Sequence, residues 1–169
     1  MKIRAAKTED LPAIERIYDA ARAYMARSGN PHQWGDSGYP ERELLEEDIQ
    51  KRRLFVMEEA GAPHAVFAFM LGDDPTYAVI EDGQWPNSLP YGTIHRIASD
   101  GVIRGAVAQA LRFGLERIDQ VRIDTHHDNK TMQHVVAKLG FRRCGIIYLE
   151  NGDPRIAYQF SKEDTHENK

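Results

Sequence analysis

A single cysteine, Cys144, occurs in 169 residues, so an internal disulfide is excluded. The simplest expectation is an intracellular, reducing setting, and the chain is expected to be cytoplasmic. No apolar run nears the roughly 18 residues of a membrane span, and the opening MKIRAAKTED is too polar for a secretion signal. No membrane partner is therefore expected. Lysine and arginine form no block, and acidic residues outnumber basic ones by 26 to 22, for a formal charge of -4. A polyanionic nucleic acid is not an expected partner of such a chain. Internal repeats and long linkers are also missing.

What is present suits one folded domain, since 41% of the residues are hydrophobic and can supply a sizeable core. The domain is expected over residues 1–161, with a polar, solvated tail over 162–169. MKIRAA reads as a short first strand. Thr8 then caps a helix that tolerates Pro12 in its first turn. Leu11, Ile14, Ile17, Tyr18, Ala21 and Met25 recur at helical spacing and should face the core. SGNPHQWGDSGYP breaks this helix, and ERELLEEDIQKRR starts a shorter one.

LFVMEE and AVFAFML, joined by AGAPH, read as an antiparallel hairpin. Residues 72–90 form a long irregular connection, a candidate substrate wall. The second half alternates: strand YGTIHRIAS, a helix near 102–118, strand QVRIDTH, a helix near 129–139, then FRRCGIIYLE and RIAYQF around the turn NGDP. The expected class is α/β: a mixed, mostly antiparallel central sheet of about six to seven strands with one parallel pair, flanked by about four helices. The crossover helix should start at the C-terminal end of a strand, where ligands of such sheets bind.

The stretch IASDGVIRGAVAQAL carries Gly101 and Gly105 where a strand gives way to a helix. Unpaired amides at a helix start favour an anion, and a plain turn at Asp100-Gly101 is the other reading of the same residues. Asp128 and Asn129 stand at the next helix start, and either is a natural cap.

This order of elements, with Asn129 followed by KTMQHVVAKLGF, resembles the GNAT superfamily of N-acetyltransferases over residues 2–161. The resemblance implies a GNAT acyl-CoA N-acyltransferase fold and transfer of an acetyl group from acetyl-CoA to a primary amine, by direct attack in a ternary complex. It implies backbone amides near Ile97 or Ala98 that polarise the thioester carbonyl. It also places the pyrophosphate on the loop of Val102, Ile103, Arg104, Gly105, Ala106 and Val107, and the pantetheine arm at Asn129 and Met132. The loop departs from the family pattern: neither register supplies a leading basic residue and a second spaced glycine. Arg104 is expected to offset the charge of Asp100, and capping by Asp128 to leave the Asn129 side chain for the cosubstrate.

Acyl transfer requires a neutral amine, donors for the tetrahedral oxyanion and protonation of the thiolate. His95 and His126, toward the ends of neighbouring strands, are the candidate bases. Val136 replaces the family's helix tyrosine. Tyr148 is the substitute acid, although a core role suits it as well. Cys144 reads as a small buried hydrophobe, and thiolate departure into water needs no acid. Trp34, Tyr39, Trp85 and Tyr91 are candidate walls of an aromatic acceptor pocket.

Two other functions fit the same residues. One is a non-catalytic acyl-CoA-binding or sensing domain, motivated by the degraded loop and the missing tyrosine. The other is a metal site built from His126, His127 and Asp128 with His95 and His134. Neighbouring strand residues face opposite ways, so no metal is expected. The acceptor, a small-molecule or peptide amine, is not identified by the sequence, and oligomeric state is open, a homodimer included.

Overall fold

The computed structural model describes residues 1–34 and 38–165. Residues 35–37 of the expected helix break and 166–169 of the expected tail lie outside the described residues. Among the described residues seven strands, Lys2–Ala5 (β1), Leu54–Glu59 (β2), Ala62–Leu71 (β3), Gly92–Ser99 (β4), Gln120–Thr125 (β5), Arg142–Tyr148 (β6) and Pro154–Ser161 (β7), follow the order β1-β2-β3-β4-β5-β7-β6. Among the same residues four α-helices accompany them, and β4–β5 is a parallel pair. The fold is thus the expected mixed α/β class. No helix is long and apolar enough to cross a membrane among the described residues. The chain forms two compact units, Met1–Phe69 with His95–Ala106, and Met70–Ile94 with Val107–Lys169.

In the first unit, β1 (Lys2–Ala5) pairs antiparallel with β2 (Leu54–Glu59), and β2 with β3 (Ala62–Leu71). The β2–β3 connection is tighter than the expected AGAPH link. Ala60 and Gly61 both take positive φ (53° and 82°), and such two-residue turns match the twist of paired strands. Pro63 therefore lies inside β3, opposite Glu58, where the register shifts and a missing amide donor is tolerated. Helix α1 (Leu11–Arg27) buries Leu11, Ile14, Ile17, Tyr18 and Ala21, as the spacing predicts, while Met25 is only half-buried. Thr8 does not cap it: Thr8–Asp10 is a 3-10 turn, and Asp10 instead accepts from the Lys7 amide at 2.7 Å. Helix α2 spans Arg42–Gln50, and β4 spans Gly92–Ser99.

In the second unit, the start of β4 pairs with β5 (Gln120–Thr125) through Gly92↔Val121 and Thr93↔Arg122. Strand β5 pairs antiparallel with β7 (Pro154–Ser161), and β7 with β6 (Arg142–Tyr148). Helix α3 covers Ala106–Leu115 and α4 covers Lys130–Leu139. The LGF ending of α4 has a local physical cause. Gly140 takes φ 99°, and the Phe141 amide donates to the Val136 carbonyl at 3.0 Å, closing the helix as only glycine readily allows. Phe141 then packs edge-on against Phe160, with ring centroids 5.7 Å apart.

Candidate functional site

In the first unit, the end of β4 is bent at Arg96, a non-glycine residue with φ 53°. Such a conformation persists only where the surroundings hold it. Here four contacts do so. The guanidinium donates to Asp48 Oδ2 from Nη2 (2.7 Å) and Nε (3.1 Å), and from Nη1 to the Tyr39 hydroxyl (3.3 Å). The buried Tyr18 hydroxyl donates to the Arg96 carbonyl at 2.7 Å. Burial works against the charge on Arg96, and Tyr39 and Asp48 more than offset it, raising its pKa above the ordinary value. Asp48 is fully buried and takes a second guanidinium, Arg53 Nε at 2.6 Å, on its other oxygen. The bend interrupts strand alternation just before Ile97 and Ala98, and His95 precedes it, half-buried.

The loop that follows is held by its own side chains. Ser99 Oγ accepts from the Gly101 amide (3.2 Å) and Asp100 Oδ1 from the Val102 amide (3.0 Å). These bonds keep residues 99–105 out of the helix expected from 102, so α3 begins at Ala106. Gly101 and Gly105 take φ 93° and 68°. Val102 has thus already given its amide to Asp100. The amides of Ile103, Arg104, Gly105 and Ala106 donate to no other backbone group outside the helix among the described residues. Arg104 does not neutralise Asp100: it is exposed and forms no ion pair among the described residues. Asp100 is held instead by His64 of β3, with Nδ1 2.7 Å from Asp100 Oδ2. The donors present, backbone amides opening a ten-residue helix, suit a phosphate group.

In the second unit, β5 ends at Thr125, so His126 and His127 lie in the turn that leads to α4. Asn129, not Asp128, is the N-cap: its Oδ1 accepts from the Met132 amide at 3.0 Å. The expectation that Asp128 would cap and release Asn129 is reversed; the Asp128 amide donates to His126 Nδ1 (3.0 Å), one residue before the cap. A ring accepting at Nδ1 carries its neutral-state proton on Nε2, a tautomer assigned from this hydrogen bond. His126 is buried.

The His126, His127 and Asp128 ligand atoms lie within 4.8 Å of one another, which strand alternation had argued against. The residues are in a turn, where that alternation does not apply. The two imidazoles stack at 4.2 Å with planes 27° apart. His95 and His134 are not part of this cluster.

Tyr148 is not a core residue: it is 41% exposed, and its hydroxyl donates to Glu81 Oε2 at 3.0 Å. That hydrogen bond and the nearby Glu81 charge raise its pKa. Cys144 is buried, with Sγ 3.4 Å from the Arg142 carbonyl. Val136, at the position of the family's tyrosine, has no solvent exposure.

Of the four aromatic residues, Trp34 packs with Tyr18 and with Tyr39 in the first unit. Trp85 and Tyr91 pack against Tyr77 in the second, and each lies 3.8 Å from the buried Arg122 guanidinium. His64, Arg96 and Arg122 carry no local signal in the sequence, since their partners are far along the chain, and neither does the Asp48 contact to Arg96.

No family model matches the sequence, and no curated protein matches it. Solved structures do. A GNAT-family acetyltransferase from Streptococcus agalactiae matches with TM-score 0.84 at 34% identity, with 95% of each chain covered. A GNAT-family acetyltransferase from Listeria monocytogenes gives 0.68 at 21% identity, over 95% of this chain and 94% of the other. The ribosomal-protein-alanine N-acetyltransferase of Brucella melitensis gives 0.62 at 16%, over 95% and 99%. At those identities the last two show the fold alone.

Proposed function

Because the chain belongs to the GNAT family of acetyltransferases, we propose that it moves an acetyl group from acetyl-CoA to a primary amine by direct attack in a ternary complex. The observation that carries this reading is the 34% identity to a GNAT acetyltransferase over 95% of both chains. The unpaired loop amides before α3 are its support within the chain.

In this reading the amides of Ile97 and Ala98 polarise the thioester carbonyl and stabilise the oxyanion. Amides from Ile103 to Val107 hold the pyrophosphate, with the Val102 amide already given to Asp100. Asn129 and Met132, which open α4, face the pantetheine arm. The amine nitrogen attacks the carbonyl carbon, the C–S bond breaks, and the sulfur leaves as thiolate. His95 takes the amine proton, directly or through water. His126 is the weaker candidate base because its Nδ1 lone pair is spent on the Asp128 amide. Tyr148 is the candidate acid, and its proton is shared with Glu81. The acceptor is a small-molecule or peptide amine. A neighbour named as a ribosomal-protein-alanine acetyltransferase keeps peptide N-termini among the candidates.

Calorimetry with acetyl-CoA tests the reading first: binding is expected, and no binding at millimolar concentrations sinks it. Thiol release across an amine panel follows. The buried Val136 in place of a tyrosine favours one other reading, an acyl-CoA sensor, which binds acetyl-CoA and releases no thiol with any amine.

A further inference from the structure

We propose that His64 fits the loop before α3 for a pyrophosphate by restraining the Asp100 carboxylate away from the loop amides, which makes it a positioning residue for the cosubstrate. The inference rests on the acetyl-CoA reading above and extends it to a residue on another strand. A carboxylate beside an anion cradle is an obstacle. Asp100 lies one residue before Gly101, and its Oδ1 occupies the Val102 amide at 3.0 Å, a donor that a phosphate oxygen would otherwise take. Left unrestrained, a charge this near would repel the pyrophosphate.

The structure compensates it from β3. The Asp100 amide donates to the His64 carbonyl at 3.0 Å, and His64 Nδ1 meets Asp100 Oδ2 at 2.7 Å. Two contacts thus tie the loop to the strand, one through the backbone and one through the carboxylate. Both carboxylate oxygens are engaged, Oδ2 by the ring and Oδ1 by the Val102 amide, so the group cannot swing over the four amides that follow. The two side chains are only about a quarter exposed, 25% and 26%, which limits screening by water. Arg104, the cation within the loop itself, forms no ion pair among the described residues and is exposed. His64 therefore holds the carboxylate that no cation of the loop holds. It touches no reacting atom and acts only through Asp100.

The test compares acetyl-CoA with S-acetylpantetheine, which lacks the phosphates, by calorimetry at one pH on the full chain. His64→Gln is expected to weaken acetyl-CoA about three- to tenfold, an electrostatic effect of ordinary size, and to leave S-acetylpantetheine unchanged. Asp100→Asn keeps an acceptor for the Val102 amide and removes the charge, so it is expected to tighten acetyl-CoA alone. The double variant is expected to recover at least the wild-type affinity. If His64→Gln does not fold, His64→Asn takes its place, and Asp100→Asn is read independently of either. Equal losses for both ligands would make the pair a structural tie and overturn the proposal. So would unchanged acetyl-CoA affinity in His64→Gln, or failure of Asp100→Asn to rescue it. A wild-type chain that binds neither ligand removes the acetyl-CoA reading itself. That outcome is distinct from a wild type that binds acetyl-CoA with the same affinity as the His64 variant.

Discussion

The Asp48 carboxylate, with no solvent exposure, accepts two hydrogen bonds from Arg96, at 2.7 and 3.1 Å, where the backbone of Arg96 takes φ 53°. The pair thus ties α2 to the bend in β4 that precedes Ile97 and Ala98. Removing one member of a buried ion pair leaves the other charge uncompensated, at about 3 to 5 kcal/mol. Asp48→Asn, which leaves the buried Arg96 guanidinium uncompensated, is expected to lower stability by that order in denaturant unfolding with an unchanged m-value. A loss below about 1 kcal/mol, the scale of an exposed pair, would show that the bend is held by other contacts.

Asn129 separates capping from ligand contact. Asn129→Ala removes the bond to the Met132 amide and is expected to cost about 1 kcal/mol, whereas Asn129→Ser keeps a cap. The measurement is thermal stability beside KM for acetyl-CoA. A serine variant with restored stability and a raised KM supports a pantetheine contact; restoration of both leaves capping as the only role.

Acid sensitivity is expected from Asp10. The Arg4 guanidinium binds both of its oxygens, at 2.7 and 2.8 Å, and holds its pKa below the ordinary aspartate value, against burial and together with the Lys7 amide. A depressed folded value means the unfolded chain binds protons more readily. This contribution is therefore complete above the ordinary value near ~3.9 and is lost as pH falls through the lower folded value. Asp10→Asn is expected to be less stable at neutral pH and to show a shallower acid-side decline in melting temperature.

The assignment of the base predicts different pH–rate profiles for two histidine variants. His95→Gln is expected to abolish or displace the acid limb of kcat/KM, while His126→Asn keeps its position. The reverse pattern would transfer the role to His126, and two unchanged profiles would remove both.

Gly83 makes a closer approach than any side chain permits. A Cβ there would lie 2.0 Å from the Cys144 carbonyl oxygen, and φ is 149°. Gly83→Ala is expected to destabilise the fold by roughly 1 to 3 kcal/mol, the usual range for overpacking. A melting temperature equal to wild type would show that the loop adapts without loss.

The positions of strands and helices follow from short-range rules. Apolar spacing marks the buried face of α1, NGDP turns β6 into β7, and Gly140 closes α4, each within a few residues. Capping by residue type is less decisive: Thr8 and Asp128 are natural caps, yet the side chains that accept amides at these helix starts are Asp10, from Lys7, and Asn129, from Met132. The loop over 99–105 left the helix for a similar reason, since Ser99 and Asp100 took its first amides.

The sequence by itself therefore determined the elements, their order and the family they resemble, because periodicity, turn chemistry and capping act over one or two turns of chain. Which distant polar side chains meet was decided by the tertiary structure. His64 and Asp100 are 36 residues apart, Asp48 and Arg96 are 48 apart, and only the fold brings such groups within about 3 Å. No spacing in the chain encodes such a meeting.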